Sequence, residues 1–320
     1  MKKILITGIS GYIGQCLNLY LSKKYKIVGI DKKKIKLKNF YLCDLLNKKK
    51  LKKIFEKEKP DIVIHLAALA VIDETKKYSD FYNNNFLVTK NIIEMMKITK
   101  TKKIIFASTA AIFKKKKGNI RENDIKKPIS NYAKTKFLCE KILNKSGLDV
   151  LSFRFFNVCS SMYKFGCGEI HKPETHLIPS VVYKALNNQD VHIFGQDFNT
   201  KDGTAVRDYF HVLDLCEALK KGVSYIYGIK GFHTFNIGSG RSTTVLEIIS
   251  FIKKNYNKNL KIIKIKRRSG DVDRLVCNIN NAKKKLKWKP KFSHMKKIIS
   301  DEVNWVKFLN KKGIKRIFKK

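Results

Sequence analysis

Short apolar segments alternate with longer amphipathic ones over the first 160 residues, and this alternation constrains the fold more than any other feature. The apolar segments have the length of buried β-strands, and apolar residues at helical spacing fill the intervals between them. Strands that alternate with helices form a parallel sheet that helices cover on both faces. We predict strands over 3–7, 26–30, 61–68, 102–108 and 149–156, and helices over 13–24, 48–58, 81–97 and 132–146.

The second half of the chain is less regular, with helical spacing at 212–221 and 243–255. We therefore expect an α/β protein in which a doubly wound parallel sheet is followed by a smaller mixed α/β lobe. The sheet domain is expected to span residues 1–156, and the lobe mainly residues 157–320. Part of about 205–240 is expected to return to the first domain.

The formal net charge of +43 suggests nucleic-acid binding at first sight. However, 61 of the 69 basic residues are lysines, and they are scattered along the whole chain. Base recognition favours the fork of the arginine guanidinium, which is scarce here. A general drift of composition towards lysine explains the charge, so we expect no specific nucleic-acid partner. Steering of an anionic ligand, or weak polyanion binding, stays open as the alternative.

The apolar runs are shorter than the roughly 18 residues that span a membrane, so no membrane association is expected. The initial apolar run stops at Thr7 and Gly8, which is too early for a signal peptide, and we expect a cytoplasmic protein. The cysteines form no C-x-x-C pair, which indicates reduced, buried thiols without a disulfide framework or a zinc site. No metal is therefore expected. The seven cysteines are Cys16, Cys43, Cys139, Cys159, Cys167, Cys216 and Cys277.

Gly8, Gly11 and Gly14 follow the first predicted strand with the spacing G-x-x-G-x-x-G. Glycine lets the backbone approach a pyrophosphate, and the helix that starts there offers free N–H groups and a positive dipole end. Asp31 ends the second strand, where its carboxylate suits ribose hydroxyls and favours NAD over NADP. Asp44 is a candidate for the adenine edge, or else a simple turn residue. Together these residues predict a Rossmann-type NAD site, with a tight turn and a surface aspartate as the alternative.

Tyr132 and Lys136 lie one helical turn apart and share one face of a predicted helix. A phenol with an ordinary pKa of about 10 is a poor base, and a nearby ammonium and an oxidised nicotinamide ring stabilise its phenolate. Ser108 and Thr109 come at the end of the strand predicted over 102–108, where a hydroxyl can bond the substrate oxygen and the tyrosine. These residues predict removal of a hydroxyl proton coupled to hydride transfer.

The motifs TGxxGxxG, the strand-end Ser-Thr pair and YxxxK together resemble the extended short-chain dehydrogenase/reductase family. The second half is similar to UDP-galactose 4-epimerases in several segments, and the resemblance runs from residue 1 to about residue 310. The most specific segment is IFGQDFNTKDGTAVRDYFHVLDL at 193–215. The others are RFFNV at 154–158, PETHLIP at 173–179, FNIGSG at 235–240 and KRRSGDVDRL at 266–275.

The resemblance implies a role for each matching residue. Tyr132 is implied as the acid/base, Lys136 as its partner, and Thr109 as the hydroxyl beside them. Contacts with NAD are implied for Gly8, Gly11, Tyr12, Ile13, Gly14, Asp31, Asp44, Leu45, Ala67, Ala68, Leu69, Asn85, Ser108, Tyr132, Lys136 and Phe155. Contacts with the UDP-sugar are implied for Thr109, Tyr132, Asn157, His176, Leu177, Ile193, Phe194, Arg207, Arg268, Asp271 and Leu275. Arginine forks suit a diphosphate, and Arg207 and Arg268 stand out in a chain poor in arginine.

The sequence departs from the family in three places. Ala70 stands where some members have a lysine after the fourth strand, so any cofactor contact of that lysine is lost. The segment 160–171 is less typical, which affects the substrate loop. Leu275 lies where side-chain size limits the sugar pocket, and leucine is intermediate between the tyrosine that restricts it and the small residue that admits N-acetyl sugars.

The resemblance implies reversible C4 epimerisation of a UDP-hexose through a transient 4-keto sugar, with NAD that stays bound. A UDP-N-acetylhexosamine or UDP-pentose is the alternative substrate. A dehydratase of the same fold is disfavoured, because Ala110 and Ala111 stand where it needs an acid pair after Thr109. A non-catalytic dinucleotide sensor remains a rival of another class. A homodimer is implied, with 81–97 and 132–147 as the candidate interface helices.

Overall fold

The computed structural model describes residues 1–70, 76–171, 174–267 and 271–314. The first half alternates strands and helices as predicted. Its elements, in chain order, are β1 (Lys3–Thr7), α1 (Tyr12–Leu21), β2 (Lys26–Asp31), β3 (Phe40–Leu42), α2 (Lys48–Glu58), β4 (Ile62–His65), α3 (Tyr78–Phe81), a π-helix (Tyr82–Leu87), α4 (Val88–Ile98), β5 (Lys103–Thr109), a 3₁₀-helix (Ala110–Ile112), α5 (Asn131–Asn144) and β6 (Asp149–Phe155).

The second half combines very short strands with longer helices. Its elements are β7 (Asn157–Cys159), β8 (Ser161–Met162), a 3₁₀-helix (Tyr163–Phe165), β9 (Cys167–Gly168), α6 (Leu177–Leu186), β10 (Val191–Phe194), β11 (Val206–Arg207), β12 (Tyr209–His211), α7 (Val212–Tyr225), a 3₁₀-helix (Ile226–Gly228), β13 (Phe232–Ile237), β14 (Thr243–Thr244), α8 (Val245–Tyr256), β15 (Ile262–Ile265), β16 (Arg274–Leu275), α9 (Asn280–Lys285) and α10 (Met295–Lys311).

The central sheet contains seven parallel strands in the order β13-β6-β5-β4-β1-β2-β3. In its middle, Leu5 of β1 lies opposite Val28 on one side and Val63 on the other. The chain order reverses between β1 and β4, which opens a crevice at the carboxyl ends of these strands. The predicted doubly wound parallel sheet is therefore confirmed, and its crevice is where a dinucleotide binds in such folds.

The two faces of the sheet bury separate apolar cores, because neighbouring residues of a strand point to opposite faces. Ile4 and Ile6 of β1 lie in the core that includes Leu17 of α1 and Leu219 of α7. Leu5 lies in the other core, which helices α2, α4 and α5 cover. All five of these side chains are completely buried, and each such burial stabilises the fold by about 1.5–3 kcal/mol.

The lobe is built around a third core between helices α6, α8 and α10, which includes Val182, Ile249 and Val306. Its strands form small separate sheets: β10 pairs with β15, and β11 pairs with both β14 and β16. Strands of two to four residues carry little apolar periodicity, which explains why the sequence pattern becomes irregular there. Among the described residues, every helix is too short or too polar to cross a bilayer.

The structure differs from the predicted elements in two places. The single helix predicted over 81–97 is α3, a π-helix and α4 in succession. The π-helix lets Asn85 turn its side chain to the strand-end segment at Leu69, and such insertions are common at functional sites. The strand β13 was not predicted, although it lies in the stretch 205–240 and forms one edge of the main sheet.

Candidate active site

The glycine loop joins β1 to α1 with almost no space for side chains. Gly8 has a positive φ of +73°, and a Cβ there would lie 2.7 Å from the backbone nitrogen of Ala67. A Cβ on Gly14 would lie 2.3 Å from the carbonyl oxygen of Gly8. These glycines are therefore required by the backbone, and they leave a cradle of main-chain atoms at the carboxyl end of β1.

Helix α1 begins at this cradle. Gly11 is its N-cap residue, and the first helical hydrogen bond runs from the Gln15 N–H to the Gly11 carbonyl at 3.0 Å. The preceding N–H groups, which include those of Tyr12 and Ile13, have no acidic side chain in the first turn beside them. Such a helix end suits a pyrophosphate. The Tyr12 hydroxyl itself points elsewhere, since it donates to the Ser160 carbonyl at 2.5 Å.

The two predicted adenosine contacts differ in their surroundings. Asp31 ends β2, and its carboxylate accepts from the N–H groups of Ser10 and Lys33, each at 3.1 Å, so it is fixed beside the glycine loop. Asp44 is exposed and accepts from the Leu46 N–H at 2.8 Å, which is the turn geometry that the sequence left open as its alternative role. Leu45 is buried in the sheet core.

Asn85 bonds the segment after β4 to two other parts of the chain. Asn85 Oδ1 accepts from the Leu69 N–H at 2.7 Å, and Asn85 Nδ2 donates to the Leu69 carbonyl at 3.2 Å and to the Thr135 hydroxyl at 3.1 Å. Ala67 and Ala68, which precede Leu69, are only partly buried. Asn85 thus connects the strand-end segment to helix α5, and the predicted cofactor contacts of this segment lie together.

The strand-end hydroxyls of β5 lie beside the predicted catalytic tyrosine. Thr109 lies close enough to Tyr132, at the start of α5, for its hydroxyl to lower the pKa of the phenol. Ser108 is 2% exposed, and its hydroxyl has no hydrogen-bond partner among the described residues. A buried hydroxyl without a partner is rare in proteins, so this position fits a ligand that supplies one.

Lys136 lies under the site in an apolar setting. It is 2% exposed, and its ammonium lies 4.3 Å from the centre of the Phe106 ring. Burial lowers the pKa of Lys136 to about 8, although Cys139 and Glu140 act in the opposite direction. Burial also raises the pKa of Tyr132 to about 12, against the effect of the Thr109 hydroxyl. The protein alone therefore keeps the phenol protonated and the amine mostly charged at neutral pH.

Phe155 and Asn157 mark the passage from the sheet to the lobe. Phe155 ends β6 and lies opposite Thr109 and Ile237 in the sheet. Asn157 donates from both its backbone N–H and its Nδ2 to the Asp208 carbonyl, each at 3.0 Å. Its side chain is thus engaged with the protein, beside the segment that carries Arg207.

Three of the predicted substrate residues meet in one small sheet. Arg207 of β11 pairs with Leu275 of β16, and its guanidinium lies 3.5 Å from the Asp271 carboxylate. Arg207 also donates to the carbonyls of Val206 and Val272 at 3.0 and 2.7 Å. These bonds hold the guanidinium in place, and the Arg207 side chain is 15% exposed to solvent. Arg268 lies outside the described residues.

Ile193 and Phe194 lie in a different small sheet. They belong to β10 and pair with Lys264 and Ile265 of β15. Ile193 is 1% exposed and packs in the lobe core, whereas Phe194 is only partly buried. Of the two, Phe194 is the one whose side chain is accessible to a ligand.

His176 and Leu177 stand at the start of helix α6. His176 is its N-cap residue, but its imidazole does not cap the helix. Its Nδ1 instead lies 2.8 Å from Glu169 Oε1 and 3.1 Å from Glu174 Oε1, so this predicted substrate residue turns its side chain to two buried carboxylates. These carboxylates raise the pKa of His176 well above its ordinary value, although burial acts against them.

The structure adds residues that the sequence interpretation missed. His65 ends β4, fully buried between the hydroxyls of Thr7 and Thr89, and burial together with Lys136 lowers its pKa to about 3. The Arg267 guanidinium lies 3.9 Å from the centre of the Phe198 ring and donates to the Asp271 carbonyl. The signal for His65 was present, because it is a polar residue inside an apolar strand segment.

Comparison with known proteins gives consistent matches over most of the chain. Residues 4–238 match the NAD dependent epimerase/dehydratase family. The UDP-glucose 4-epimerase of Lacticaseibacillus casei is 32% identical over 317 residues, which cover 94% of this chain and 96% of that protein.

Two crystal structures agree with this match. The UDP-glucose 4-epimerase of Brucella ovis in complex with NAD has a TM-score of 0.88 at 30% identity, and the alignment covers 95% of this chain and 98% of that one. The enzyme of Bifidobacterium longum in complex with NAD⁺ and UDP has a TM-score of 0.88 at 26% identity, with 98% and 99% of the two chains covered.

Proposed function

Because this chain belongs to the NAD dependent epimerase/dehydratase family, we propose that it interconverts UDP-galactose and UDP-glucose by reversible epimerisation at C4, with NAD bound throughout. The observation that carries the proposal is the placement of the Thr109 hydroxyl beside Tyr132. The pair lies at the carboxyl end of the sheet, with the buried Lys136 on the same helix. A binding protein without chemistry has no need of this arrangement.

The residues of the sheet crevice fit NAD. The glycine cradle at Gly8 and Gly14 takes the pyrophosphate, and Asp31 takes the adenosine ribose. Ser108 offers a buried hydroxyl that lacks a partner among the described residues. Bound there, NAD would supply reversible hydride transfer at C4 of the sugar. We propose residues 1–156 as the domain that holds NAD, with β13 and α7 packed against it, and 157–320 mainly as the UDP-sugar lobe.

The chain's own part in the chemistry is the movement of one proton. Tyr132 removes the proton of the 4-hydroxyl, and Thr109 holds the same oxygen in place. Because burial keeps the pKa of Tyr132 at about 12 in the protein alone, the phenolate needs positive charge nearby. Lys136 supplies that charge, since an amine with a pKa of about 8 is mostly protonated at neutral pH.

The lobe binds the UDP part of the substrate and leaves the hexose free to rotate within the site. Arg207 offers a partly exposed side chain whose guanidinium is held by two carbonyls, and Arg267 donates to the Asp271 carbonyl nearby. Arginine forks suit a diphosphate. Phe194 and Leu177 complete the predicted contacts, so that the nucleotide is fixed at several points and the sugar at few.

A direct assay tests this function. Purified protein is incubated with UDP-galactose without added NAD, and UDP-glucose formation is followed by chromatography. We expect product, because the cofactor stays bound. Absence of product, with or without NAD, would remove the epimerase proposal and favour the non-catalytic dinucleotide sensor. Tyr132→Phe is expected to lower kcat by about 10²–10⁴-fold with an unchanged circular dichroism spectrum, and full activity in this variant would show that the proton route is misassigned.

A second substrate class depends on Leu275. Its side chain is half-buried and lies opposite Arg207 in the small sheet. Leucine is smaller than the tyrosine that closes this pocket in some relatives, so UDP-N-acetylhexosamines are the second candidate, and a UDP-pentose needs still less room. Comparable kcat/KM values for UDP-galactose and UDP-N-acetylgalactosamine would support the wider specificity. Leu275→Tyr is expected to remove only the activity on the N-acetyl sugar.

A dehydratase function is not supported by the site. The residues after Thr109 form a 3₁₀-helix, Ala110–Ile112, whose side chains carry no acid. Elimination of water needs an acid pair at this position. Formation of a dehydrated 4-keto product from a nucleotide sugar would contradict this assignment.

We also propose that the protein is a cytoplasmic homodimer. All seven cysteines are free and buried, as predicted, which suits a reducing compartment. The candidate interface is formed by α4 and α5, where Ile98 is 46% exposed and Leu138 is half-buried. Light scattering on the purified protein tests the dimer, and Leu138→Glu is expected to produce monomers. A monomeric wild-type protein at assay concentration would contradict it.

A further inference from the structure

Four metal-ligating side chains converge in the segment between β9 and α6. Glu169, His171, Glu174 and His176 each offer one ligand atom, and these four atoms lie within 4.8 Å of one another. The Nδ1 atoms of His171 and His176 both lie 2.8 Å from Glu169 Oε1. Glu174 Oε1 lies 3.1 Å from His176 Nδ1, so the donors of all four residues face a common centre.

The charges and donor atoms of this cluster suit a divalent cation. Glu169 and Glu174 are 2% and 3% exposed, whereas the two imidazoles are partly exposed. Two buried carboxylates are costly unless positive charge lies beside them. A divalent cation with two neutral imidazoles and two carboxylates makes the whole group electrically neutral.

The backbone holds these ligands in place from two sides. The Trp305 indole N–H donates to the Glu169 carbonyl at 2.9 Å, which fixes this residue against α10. Gly168 packs so closely on the same indole that a Cβ would lie 2.5 Å from its ring. On the other side, the His176 N–H donates to Glu174 Oε1 at 2.9 Å at the start of α6. Ligands on supported elements form a site more readily than ligands on free loops.

We propose that Glu169, His171, Glu174 and His176 bind one divalent transition-metal ion, with Zn²⁺ as the best match. Two imidazole nitrogens and two carboxylate oxygens are ligands that Zn²⁺ accepts in tetrahedral geometry. Zinc–ligand bonds of about 2.1 Å place tetrahedral donors roughly 3.4 Å apart. Three of the donor pairs are 2.8–3.1 Å apart, so each needs to open by only a few tenths of an ångström.

The spacing E-x-H-x-x-E-x-H carries the signal for this site in the sequence. The sequence interpretation expected no metal because it examined the cysteines for zinc ligands. The site lies directly before Leu177, which we propose as a contact of the UDP-sugar. The ion therefore acts as a positioning element for the substrate segment, and this consequence rests on the proposed function, whereas metal binding itself does not.

Zinc titration of the full-length chain tests the site. Protein dialysed against a chelator is titrated with Zn²⁺ in competition with a chromophoric chelator, and Co²⁺ binding is followed by its visible spectrum. We expect one saturable Zn²⁺ site per chain and a Co²⁺ spectrum typical of tetrahedral nitrogen and oxygen ligands. His171→Ala and Glu174→Gln are each expected to weaken Zn²⁺ binding by at least about 10-fold. His233→Ala is the matched control, because that imidazole contacts only the Lys230 carbonyl in the described structure.

Three results would overturn the site. They are absence of saturable binding, equal affinity of His171→Ala and the control, and a Co²⁺–thiolate charge-transfer band, which would place the ion on cysteines. Thermal unfolding checks that each variant is folded. If His171→Ala does not fold, Glu174→Gln is the variant that tests the site. Because the readout is metal binding, it is independent of epimerase activity. Zn²⁺ added to the metal-free enzyme is expected to lower KM for UDP-galactose at constant kcat, and an unchanged KM would overturn the positioning role.

Discussion

Two ion pairs, one in each half of the molecule, are built in different ways. In the sheet half, Arg154 Nε and Nη2 donate to the two carboxylate oxygens of Glu140 at 2.9 and 2.8 Å, and both side chains are 4% exposed. In the lobe, Arg207 lies 3.5 Å from the Asp271 carboxylate, and their side chains are 15% and 37% exposed. The first pair is closed to solvent, and the second is partly open to it.

The difference separates the roles of the two halves. Glu140 lies one turn after Lys136 on α5, so its bonds to Arg154 fix the helix that carries Tyr132 against strand β6. Arg207 is held by backbone carbonyls and keeps its guanidinium available to a ligand. We therefore expect substitutions in the sheet half to change stability and kcat, and substitutions in the lobe to change KM.

The largest loss of stability is expected from Glu140→Gln. The amide leaves the buried Arg154 guanidinium without its countercharge, and removal of one partner of a buried pair costs about 3–5 kcal/mol. Urea unfolding measures this loss. The matched control is Glu56→Gln, whose partner Lys52 lies 3.7 Å away on exposed helix surface, and its effect is expected to be below about 0.5 kcal/mol. Equal effects of the two substitutions would break the distinction between buried and open pairs.

Lys136→Met is expected to change stability in the opposite direction. The pKa of Lys136 is lowered from 10.5 to about 8, so the folded state carries a buried charge below pH 8. Between pH 8 and 10.5 the unfolded chain binds more protons than the folded one, and wild-type stability rises with pH. At pH 7 the variant is expected to gain on the order of 3 kcal/mol, and the gain shrinks as pH rises through this window.

The same variant is expected to lose at least about 100-fold in kcat, because Tyr132 loses its source of positive charge. A gain in stability together with a loss of activity marks a residue kept for chemistry. Unfolding curves at pH 7 and pH 10, with initial rates at pH 7, check both parts. A less stable variant at pH 7 would show that the Lys136 ammonium contributes to the fold through its contact with Phe106.

Gly14→Ala is expected to lower the free energy of unfolding by about 1–3 kcal/mol, because the added methyl meets backbone atoms that have to shift. Its Cβ would lie 2.3 Å from the Gly8 carbonyl oxygen, so the loop distorts where the pyrophosphate binds. We expect the purified variant to lack NAD, which absorbance and release by heat denaturation measure. Gly228→Ala is the control, since its Cβ has no atom within 4 Å. Retention of NAD at wild-type levels would contradict the proposed cradle.

The sequence predicted best those structural features that depend on residues close together in the chain. The glycine loop, the end of β2 at Asp31 and the pair Tyr132–Lys136 are all defined within about one turn or one strand, so their types and spacing indicate their structure. The bond of Asn85 to Leu69 and the pair Glu140–Arg154 join separate elements, and no local pattern reports them. For the same reason the strand β13 and the π-helix were missed.

The lobe was predictable only by resemblance. Arg207 and Asp271 are 64 residues apart in sequence and meet through strands of two residues, which have no periodicity to detect. The cluster of Glu169, His171, Glu174 and His176 is the opposite case. Its spacing is visible in the sequence, but only the folded segment between β9 and α6 brings the four side chains together, so the geometry was needed to separate it from a solvated polar loop.

The smallest change of stability is expected from substitutions of the open pair in the lobe. Asp271→Asn and Arg207→Lys are each expected to change unfolding free energy by less than about 1 kcal/mol, because solvent already screens the pair. Arg207→Lys is nevertheless expected to raise KM for UDP-galactose about 10-fold, since lysine lacks the fork that binds a diphosphate at two points. The kcat value is expected to stay nearly constant, because the reacting groups are in the other half.

Steady-state kinetics with UDP-galactose measure this split, and Arg241→Lys, at an exposed arginine of the same lobe, is the control with an unchanged KM. A fall in kcat at constant KM would show that Arg207 acts on the sugar and not on the diphosphate. Inhibition by UDP alone sharpens the result, because UDP lacks the hexose. If the inhibition constant of UDP rises by the same factor as KM, the lost interaction lies on the nucleotide. If it does not change, the division of labour between the two halves is wrong, because the lobe then contributes to the reacting centre.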